Sequence, residues 1–472
     1  MKTKRLLLLL SVISQSVLAQ QLDDVSKHIE RNLTDYNQIA LQIWNYAEMG
    51  YQEHKSSKLL KDKLVEEGFT ITEGVAEIPT AFVAEYGTKG PVIAILGEFD
   101  ALPGLSQKAV PFKESLGARG GHGCGHHLFG TASLAASIAL KDWLITTKTP
   151  GRIRFYGTPA EEGGGAKVYM SRAGLFDDVA VVLHWHPGAS NAADEAAALA
   201  NISAKFRFEG VSAHAAAAPE KGRSALDGVE SMNYMVNLMR EHIPQETRIH
   251  YVITDGGKAP NVVPDQAEVY YYSRHPSREV VRSVFDRIVR AAEGAAKGTE
   301  TKMTYEIVNG VHELLPNETL QRLVHESLSE VGGYTYTQKE LAFAEAISET
   351  LGTQLNTLVA QQVEPYKSAS RAYGSTDVGD VSFVVPTVGF RTATWVPGTS
   401  AHSWQAVAAG GTSIGLKGMT VAAKTLAISA VKLFSNPELI EKARQEFDTR
   451  RGAGFTYRPL LGNRPPALDY RN

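Results

Sequence analysis

The stretch Gly121-His122-Gly123-Cys124-Gly125-His126-His127 holds the single cysteine of a 472-residue chain and three of its fourteen histidines. The glycines let the backbone turn tightly, so several side chains can converge on one point. An apolar, Ala-rich run over 128–144 follows and reads as a helix. A Cys/His cluster in a glycine loop that opens a helix is a plausible metal site. A lone cysteine is more often a small buried hydrophobe. Packing alone, however, does not ask for three histidines among glycines.

Outward from this loop the chain reads as strands and helices in alternation. Upstream, Ile29, Leu33, Tyr36, Ile39, Ile43, Trp44 and Ala47 recur at helical spacing over 23–49, and a second helix over 56–67 stops at Gly68. Short strands follow over 81–86 and 92–96, the latter a continuous apolar run of the kind that buried parallel strands show. It ends in Gly97-Glu98-Phe99-Asp100-Ala101-Leu102-Pro103-Gly104. Downstream, a strand over 152–156 ends in Gly157-Thr158-Pro159-Ala160-Glu161-Glu162-Gly163-Gly164-Gly165, and one over 179–185 ends in His186-Pro187. Three strands thus deliver Asp100, Glu161/Glu162 and His184/His186 to one edge of one sheet, where open α/β sheets place their ligands.

Near Asn201 the pattern changes. A strand over 202–208, a helix over 224–242, strands over 248–253 and 267–273, a helix over 277–296 and a strand over 302–308 make a β-α-β-β-α-β series. That is the ferredoxin-like pattern, and its length suits one small domain. It reads as an insertion, because the chain then returns to helices over 318–330 and 339–358, a polar loop over 373–380 and a strand over 388–391 that leads to Gly398-Thr399-Ser400-Ala401-His402-Ser403-Trp404. Helices over 412–434 and 437–448 follow, and the tail after Gly452, rich in Pro and Arg, reads as irregular. No internal repeat is visible. The expected division is a signal peptide over 1–19, a first domain in two parts over 20–200 and 309–472, and the insertion over 201–308.

A net charge of -3, with 43% apolar and 21% charged residues, is ordinary for a soluble globular protein and points to neither nucleic acid nor an anionic membrane as partner. Lys2, Lys4 and Arg5 precede an apolar core over 6–13, and Val17-Leu18-Ala19 offers small residues before Gln20. This is the make-up of a signal peptide cut after Ala19, so export to the periplasm or outside the cell is expected. The run is too short for a stable span, and no second apolar run reads as long enough. A chain with one cysteine forms no internal disulfide. Its free thiol would be a liability in an oxidising compartment unless buried or held by a metal.

Cys124, His126, Glu162, His186 and His402 together could ligate two divalent cations. A thiolate or carboxylate bridges two cations readily and a neutral imidazole does not, which makes Cys124 the natural bridge. At a strand end consecutive side chains point in opposite directions. One of Glu161 and Glu162 can therefore bind metal while the other faces substrate, ready to pass a proton from an activated water to the leaving amine. Other readings are open for each piece. The glutamate pair also suits an acidic helix start. His184 and His186, two apart, face one side of a strand, so spacing does not choose between them. Asp100 either orients a ligand imidazole or caps a turn, and His402 alone reads as a surface residue. Their convergence on strand ends carries the reading. Gly163-Gly164-Gly165 is no nucleotide loop, because no G-x-G-x-x-G spacing follows a strand.

Asp100-Ala101-Leu102-Pro103, the Cys124 loop, Glu161-Glu162-Gly163-Gly164, Trp185-His186-Pro187, Gly210-Val211-Ser212-Ala213-His214-Ala215, Pro260-Asn261-Val262-Val263-Pro264, Ser375-Thr376-Asp377-Val378-Gly379-Asp380 and His402-Ser403-Trp404-Gln405 together resemble the M20 metallopeptidase family. The resemblance lies with its amidohydrolases of the hippurate- and auxin-conjugate-hydrolase type and covers nearly the whole mature chain. It implies an α/β, binuclear-zinc-peptidase-like catalytic domain with an inserted ferredoxin-like dimerisation or lid domain. It further implies two divalent metal ions, Zn2+ first and Mn2+ as the alternative, at Cys124, His126, Glu162, His186 and His402, with Glu161 as general base. His184 satisfies the ligand spacing of some related amidohydrolases; His186, directly before proline, satisfies that of the closer subfamily. His214 matches a histidine that reaches across a dimer to steady the oxyanion, Asn261 a residue that contributes there, and Arg274 one that holds the substrate carboxylate. From the residues alone, His214 reads as a loop residue and Arg274 as a solvated strand end. The implied activity is hydrolysis of the amide bond of N-acyl or N-aroyl amino acids, p-aminobenzoyl-glutamate-like compounds among them. A dipeptidase of unmodified dipeptides is the second reading. A non-catalytic partner in a hetero-oligomeric hydrolase is the third, disfavoured because every ligand position is filled. A homodimer through the insertion is expected, with a heterodimer possible. On this reading His122 and His127 become packing or supporting residues.

Overall fold

Every residue of the strand Val92–Gly97 is buried, as expected of an apolar run covered on both faces. The computed structural model describes residues 2–193, 196–368, 370–371 and 374–471, the side chains of 2–16, 196–197 and 370–371 excepted. Met1 and the side chains of 2–16, on which most of the signal-peptide reading over 1–19 rests, and Tyr373 of the polar loop fall outside those limits.

Val92–Gly97 pairs in parallel with Arg152–Gly157 on one side and Val181–Leu183 on the other. Thr387–Val388 extends the sheet in parallel beyond Val181–Leu183. Phe82–Tyr86 and then Thr70–Glu73 extend the opposite side antiparallel, giving a six-stranded mixed sheet. In register Gly97 faces Gly157, so the segments after both strands leave the sheet at one level. The helices His126–Thr147 and Ser413–Ser435 pack on each other, and the first also packs on Val92–Gly97. Both are long and apolar enough to cross a membrane, contrary to the sequence reading, but 89% and 78% of their apolar windows are buried inside the fold. They are core helices.

The helix expected over 23–49 is two, Lys2–Arg31 and Leu33–Tyr46. The Asn32 side chain donates to His28 O at 2.9 Å. It thereby competes with the backbone for a carbonyl of the preceding turn, which breaks the helix there. The strand expected over 179–185 stops at Leu183, and the chain crosses to a separate ribbon in which His186–Gly188 lies parallel to Arg391–Ala393. The helix expected over 339–358 ends at Leu351, where Gly352 with φ 65° supplies the left-handed turn that favours glycine. Val378–Ser382 is a short helix inside what reads as a loop.

Ala200–Glu209, Arg248–Asp255, Gln266–His275 and Lys302–Val311 form a separate antiparallel sheet. Their spatial order has Gln266–His275 and Ala200–Glu209 central, with Arg248–Asp255 and Lys302–Val311 at the edges. The helices Ala225–Met239 and Arg278–Gly298 cover one face and pack on each other. Burial alternates along Gln266–His275, as a sheet with one covered face requires. Phe206, Val229, Tyr271 and Ile288 belong to a hydrophobic cluster distinct from that of the six-stranded sheet.

The tail is irregular, as expected, but it is packed. Leu460 joins the cluster of the small sheet and Leu461 that of the large one. Tyr457 Oη donates to Asp380 Oδ1 at 2.7 Å, Arg464 Nη1 to Val308 O at 2.8 Å and Tyr470 Oη to Glu162 O at 3.0 Å.

Candidate metal centre and substrate cavity

The loop around Cys124 needs its glycines. Gly125 has φ 77°, and a Cβ there would meet the Pro187 ring at 2.7 Å. A Cβ on Gly123 would come within 2.6 Å of Leu105. Gly123 O also accepts from His402 N at 2.9 Å, which ties two loops far apart in sequence. His402 (φ 60°) and Ala160 (φ 55°), the residue before Glu161, hold left-handed backbone that side-chain-bearing residues rarely adopt. Such strain gathers where a fold holds functional groups in place.

Cys124 Sγ lies 3.5 Å from His186 Nε2 and 3.5 Å from His402 Nε2. His186 Nδ1 is 2.7 Å from Pro187 O. A carbonyl only accepts, so Nδ1 carries the proton and Nε2 turns a lone pair toward the sulfur. His126 Nδ1 is likewise 2.8 Å from Asp100 Oδ1, which fixes that ring. Glu162 Oε1 is 3.0 Å from His402 Nε2. The result is two donor groups that share one atom: Cys124, His126 and His186 form one and Cys124, Glu162 and His402 the other, each with its donor atoms within 4.8 Å of one another. A third group, Glu98, His126 and Glu161, adjoins them.

Glu98 Oε2 and His126 Nε2 are buried and lie 3.1 Å from each other, and Glu162 Oε1 is buried beside His402 Nε2. Sulfur, nitrogen and oxygen donors converging on two points are the chemistry of divalent metal sites. The residues present fit a pair of cations. Burial, then the Glu162 carboxylate, push the Cys124 thiol well above its ordinary range. Ligation needs the thiolate, so cation binding would release that proton. Burial takes His186 down to about 4, which keeps the ring neutral and able to ligate. Burial also pulls His126 down, but Asp100 and Glu98 outweigh it and raise the ring well above its usual value. For Glu161, burial and then the neighbouring Glu98 and Glu162 charges push the carboxyl well above the usual carboxylate range.

Glu161 and Glu162 do not continue a strand. They sit in a turn after Gly157, with Gly163 N donating to Glu161 O at 2.7 Å and Gly164 N to Ala160 O at 3.0 Å. The turn, not a strand pleat, sends Glu162 to His402 and Glu161 to Glu98 and His126. The break after Leu183 likewise separates His184 from His186. His186 reaches Cys124, whereas His184 packs on Gly389, where a Cβ would strike the imidazole at 2.2 Å. His184 still lines the cavity, with Nε2 buried and without a hydrogen bond. His122 Nε2 and His127 Nε2 face away from the cluster, each 3.0 Å from a backbone carbonyl, of Ile43 and Gly410 respectively.

One part of the site is not in the sequence reading. Lys167 Nζ, fully buried, lies 2.7 Å from Glu98 Oε1 and 2.8 Å from Asp377 Oδ1. Asp377 Oδ2 also accepts from Lys167 N at 3.0 Å. Burial works against the ammonium, but Asp377, Glu98 and Glu161 outweigh it and raise its pKa. One fixed positive charge thus serves the acidic wall behind Glu161. Lys167→Met would leave Asp377 a buried carboxylate without a cation and Glu98 with only the His126 ring, 3.1 Å away. The expected loss is about 3–5 kcal/mol of stability in urea unfolding, and a loss below about 1 kcal/mol would contradict this role.

A cavity of about 770 Å³ opens on this cluster and runs to the small sheet, where Asn201, Tyr272 and Arg274 line it. The Arg274 guanidinium lies 5.2 Å from the Tyr272 ring centre, and its Nε is buried without a partner. His214 and Asn261 are elsewhere. They sit side by side at one end of the small sheet, with Ala215 N donating to Asn261 O at 3.0 Å, and both are exposed and outside the cavity lining. His214 Nδ1 accepts from Ala216 N and Ala217 N, each at 3.2 Å, which leaves Nε2 as an outward-facing N–H donor.

Residues 198–300 match the M20 peptidase dimerisation domain. The chain is 43% identical over 447 residues to one of the subunits of the p-aminobenzoyl-glutamate hydrolase of Escherichia coli (strain K12), covering 89% of this chain and 93% of that protein. It is 31% identical over 422 residues to the Xaa-Arg dipeptidase of Mus musculus, covering 86% and 87%. Among solved structures, an aminobenzoyl-glutamate utilization protein from Klebsiella pneumoniae superposes with a TM-score of 0.59 at 19% identity, over 87% of this chain and 98% of that one. A Bacillus subtilis protein described as a dinuclear metal binding peptidase from the M20 family superposes with a TM-score of 0.58 at 19% identity, over 86% and 99%.

Proposed function

Since the chain belongs to the M20 metallopeptidase family and is an amidohydrolase, we propose that it cleaves the amide bond of N-acyl and N-aroyl amino acids, with p-aminobenzoyl-glutamate-like compounds as its substrate class. One observation carries the mechanism: of two adjacent glutamates in one turn, Glu162 belongs to a donor group built on Cys124, while Glu161 stands in the same cavity outside both Cys124 groups. Two divalent cations bound there, zinc by the mixed donor set with manganese as the alternative, would supply Lewis acidity that lowers the pKa of a water and polarises the scissile carbonyl. Glu161 takes the proton of that water and passes it to the departing amine. Burial and the acidic neighbours raise its pKa, which suits a group that must both accept and return a proton. Cys124, His126, Glu162, His186 and His402 would hold the cations, and Asp100 holds the His126 ring. Arg274, at the far end of the cavity, takes the α-carboxylate of the substrate.

His214 and Asn261 are reserved for the oxyanion of a second copy. Their exposure, and the outward Nε2–H of His214, support a donor that acts in trans. The small sheet offers the surface for a homodimer. Its edge strand Arg248–Asp255 pairs on one side only, and Val252 and Ile253 on it and Tyr234 and Leu238 on the adjacent helix are exposed at 58%, 44%, 67% and 54%. Unpaired edges bearing apolar groups invite strand or helix pairing. We also infer export. Leu18, Leu22, Val25 and Ile29 pack on the core, so the fold uses the helix from about the inferred cut at Ala19 onward, and the N-terminal sequence of the mature protein tests this.

The test is a substrate panel run on the purified single chain after metal reconstitution, with its solution mass measured by light scattering. Turnover of N-aroyl amino acids by a species of two copies is expected. A preference for unmodified dipeptides would move the reading toward the activity named for the mouse relative. Inactivity of the single chain would favour a non-catalytic partner role, since the Escherichia coli relative is one subunit of its hydrolase.

A further inference from the structure

The tail after Gly452, which the sequence leaves featureless, reaches the substrate cavity through Arg471. Arg471 lines it together with Arg274. Arg471 Nη2 donates to Glu162 O at 2.6 Å, and its guanidinium lies 4.8 Å from the Tyr470 ring centre. Tyr470 in turn packs edge-on to Tyr51 with ring centres 5.5 Å apart, and Arg119 Nη2 donates to Arg471 O at 3.3 Å. The guanidinium is therefore held in place, yet only part of its donor capacity is used. Arg471 Nε is buried and has no partner, as is Arg274 Nε, and among the described residues neither arginine forms an ion pair. The acidic groups of the cavity, Glu98, Glu161, Glu162 and Asp377, are taken up by the metal donor groups and by Lys167.

Both arginines are half-buried with a free Nε, and a guanidinium with a free edge of N–H groups is shaped for a carboxylate. Two of them in one cavity match a ligand with two carboxylates. We propose that Arg471 is a specificity-determining residue that binds the side-chain carboxylate of an N-acyl acidic amino acid, while Arg274 binds the α-carboxylate. This rests on the reading of the chain as a hydrolase of N-acyl amino acids. It makes the tail a wall of the site, bound at one end to the small sheet through Arg464 and at the other to the Glu162 turn.

The experiment compares N-benzoyl-glutamate with N-benzoyl-glutamine, equal in size and lacking the charge, in the metal-loaded enzyme. The unchanged protein is expected to prefer the glutamate compound. Arg471→Gln is expected to lower kcat/KM for N-benzoyl-glutamate about 10- to 100-fold, chiefly through KM, and to change it less than about 3-fold for N-benzoyl-glutamine. Arg471→Lys should restore part of the preference. Tyr470→Phe removes the other bond to Glu162 O and should leave the ratio of the two substrates unchanged. Equal losses on both substrates in Arg471→Gln, or an unchanged protein indifferent to the side-chain charge, would overturn the assignment. Turnover of neither compound would overturn the reading of the reaction instead. Calorimetric titration with L-glutamate and L-glutamine then decides Arg471 alone: preferential glutamate binding that Arg471→Gln abolishes supports the assignment, and binding that it leaves unchanged overturns it.

Discussion

Glu161→Ala is expected to lower kcat by about 10³- to 10⁴-fold while metal content stays near that of the unchanged protein. The two halves of this result come from different features. Metal content is preserved because both donor groups that share Cys124 are complete without Glu161. Turnover is lost because the described cavity offers no equivalent base. Glu162 is engaged with His402, Asp100 with His126, and Glu98 and Asp377 with Lys167. Glu161→Gln, which keeps the volume of the side chain, should lose as much turnover, since an amide cannot carry the proton. Elemental analysis and steady-state kinetics on the same preparation read both halves. Retained activity would send the base elsewhere. Lost metal would make Glu161 a ligand through the third group, with Glu98 and His126.

Wherever a single residue type sets the local rule, the fold is legible in the sequence. The uninterrupted apolar run from Val92 announces a buried parallel strand, and the acidic and histidine residues after successive strands announce the working edge of the sheet. Where a long-range contact decides, the sequence is silent. The stop at Gly352 had a local signal, a glycine after a helical run. The break at Asn32 had a weaker one, an asparagine whose amide can reach back one turn. The division after Leu183 had none, because it depends on Arg391–Ala393 offering a second partner more than two hundred residues later. That division is also what separates His184 from His186, so period-two alternation could not assign them.

The site shows the same contrast. Residues that converge from strand ends and glycine loops could be read as a constellation. Lys167 could not: it lies in a short helix after Gly165 and acquires its meaning from Glu98 and Asp377, distant in sequence. A lysine in the otherwise apolar stretch Ala166–Tyr169 was the available signal. Arg471 is the extreme case, since nothing in a Pro- and Arg-rich tail says that its end folds back against the Glu162 turn. For His214 and Asn261 the limit is different again, because one copy of the chain does not contain the contact that their proposed role needs.

Cys124→Ser is expected to cost the protein most of both metal equivalents, not one. Cys124 Sγ is the only donor atom common to the two principal groups, and each group has just two further members, His126 and His186 in one and Glu162 and His402 in the other. A serine hydroxyl does not ionise in the range where a thiol does, so the variant would present a neutral oxygen to both cations. Loss of a supporting residue alone weakens metal binding about 10- to 100-fold, and removal of a shared ligand should exceed that, with occupancy lost on dialysis against a mild chelator. The fold should survive. The side chain is small and 8% exposed, and its replacement alters neither the Gly123 and Gly125 backbone nor the His402–Gly123 bond. Metal-free variant and metal-free parent should therefore unfold within about 1 kcal/mol of each other in urea. Full occupancy of the variant would rule out the shared thiolate, and loss of a single equivalent would assign the sulfur to one cation. The parent protein supplies a converse measurement. Cys124 should resist alkylation while metal is bound and react only slowly once it is stripped, because burial and the Glu162 carboxylate keep the metal-free group a thiol and the thiolate is the nucleophile.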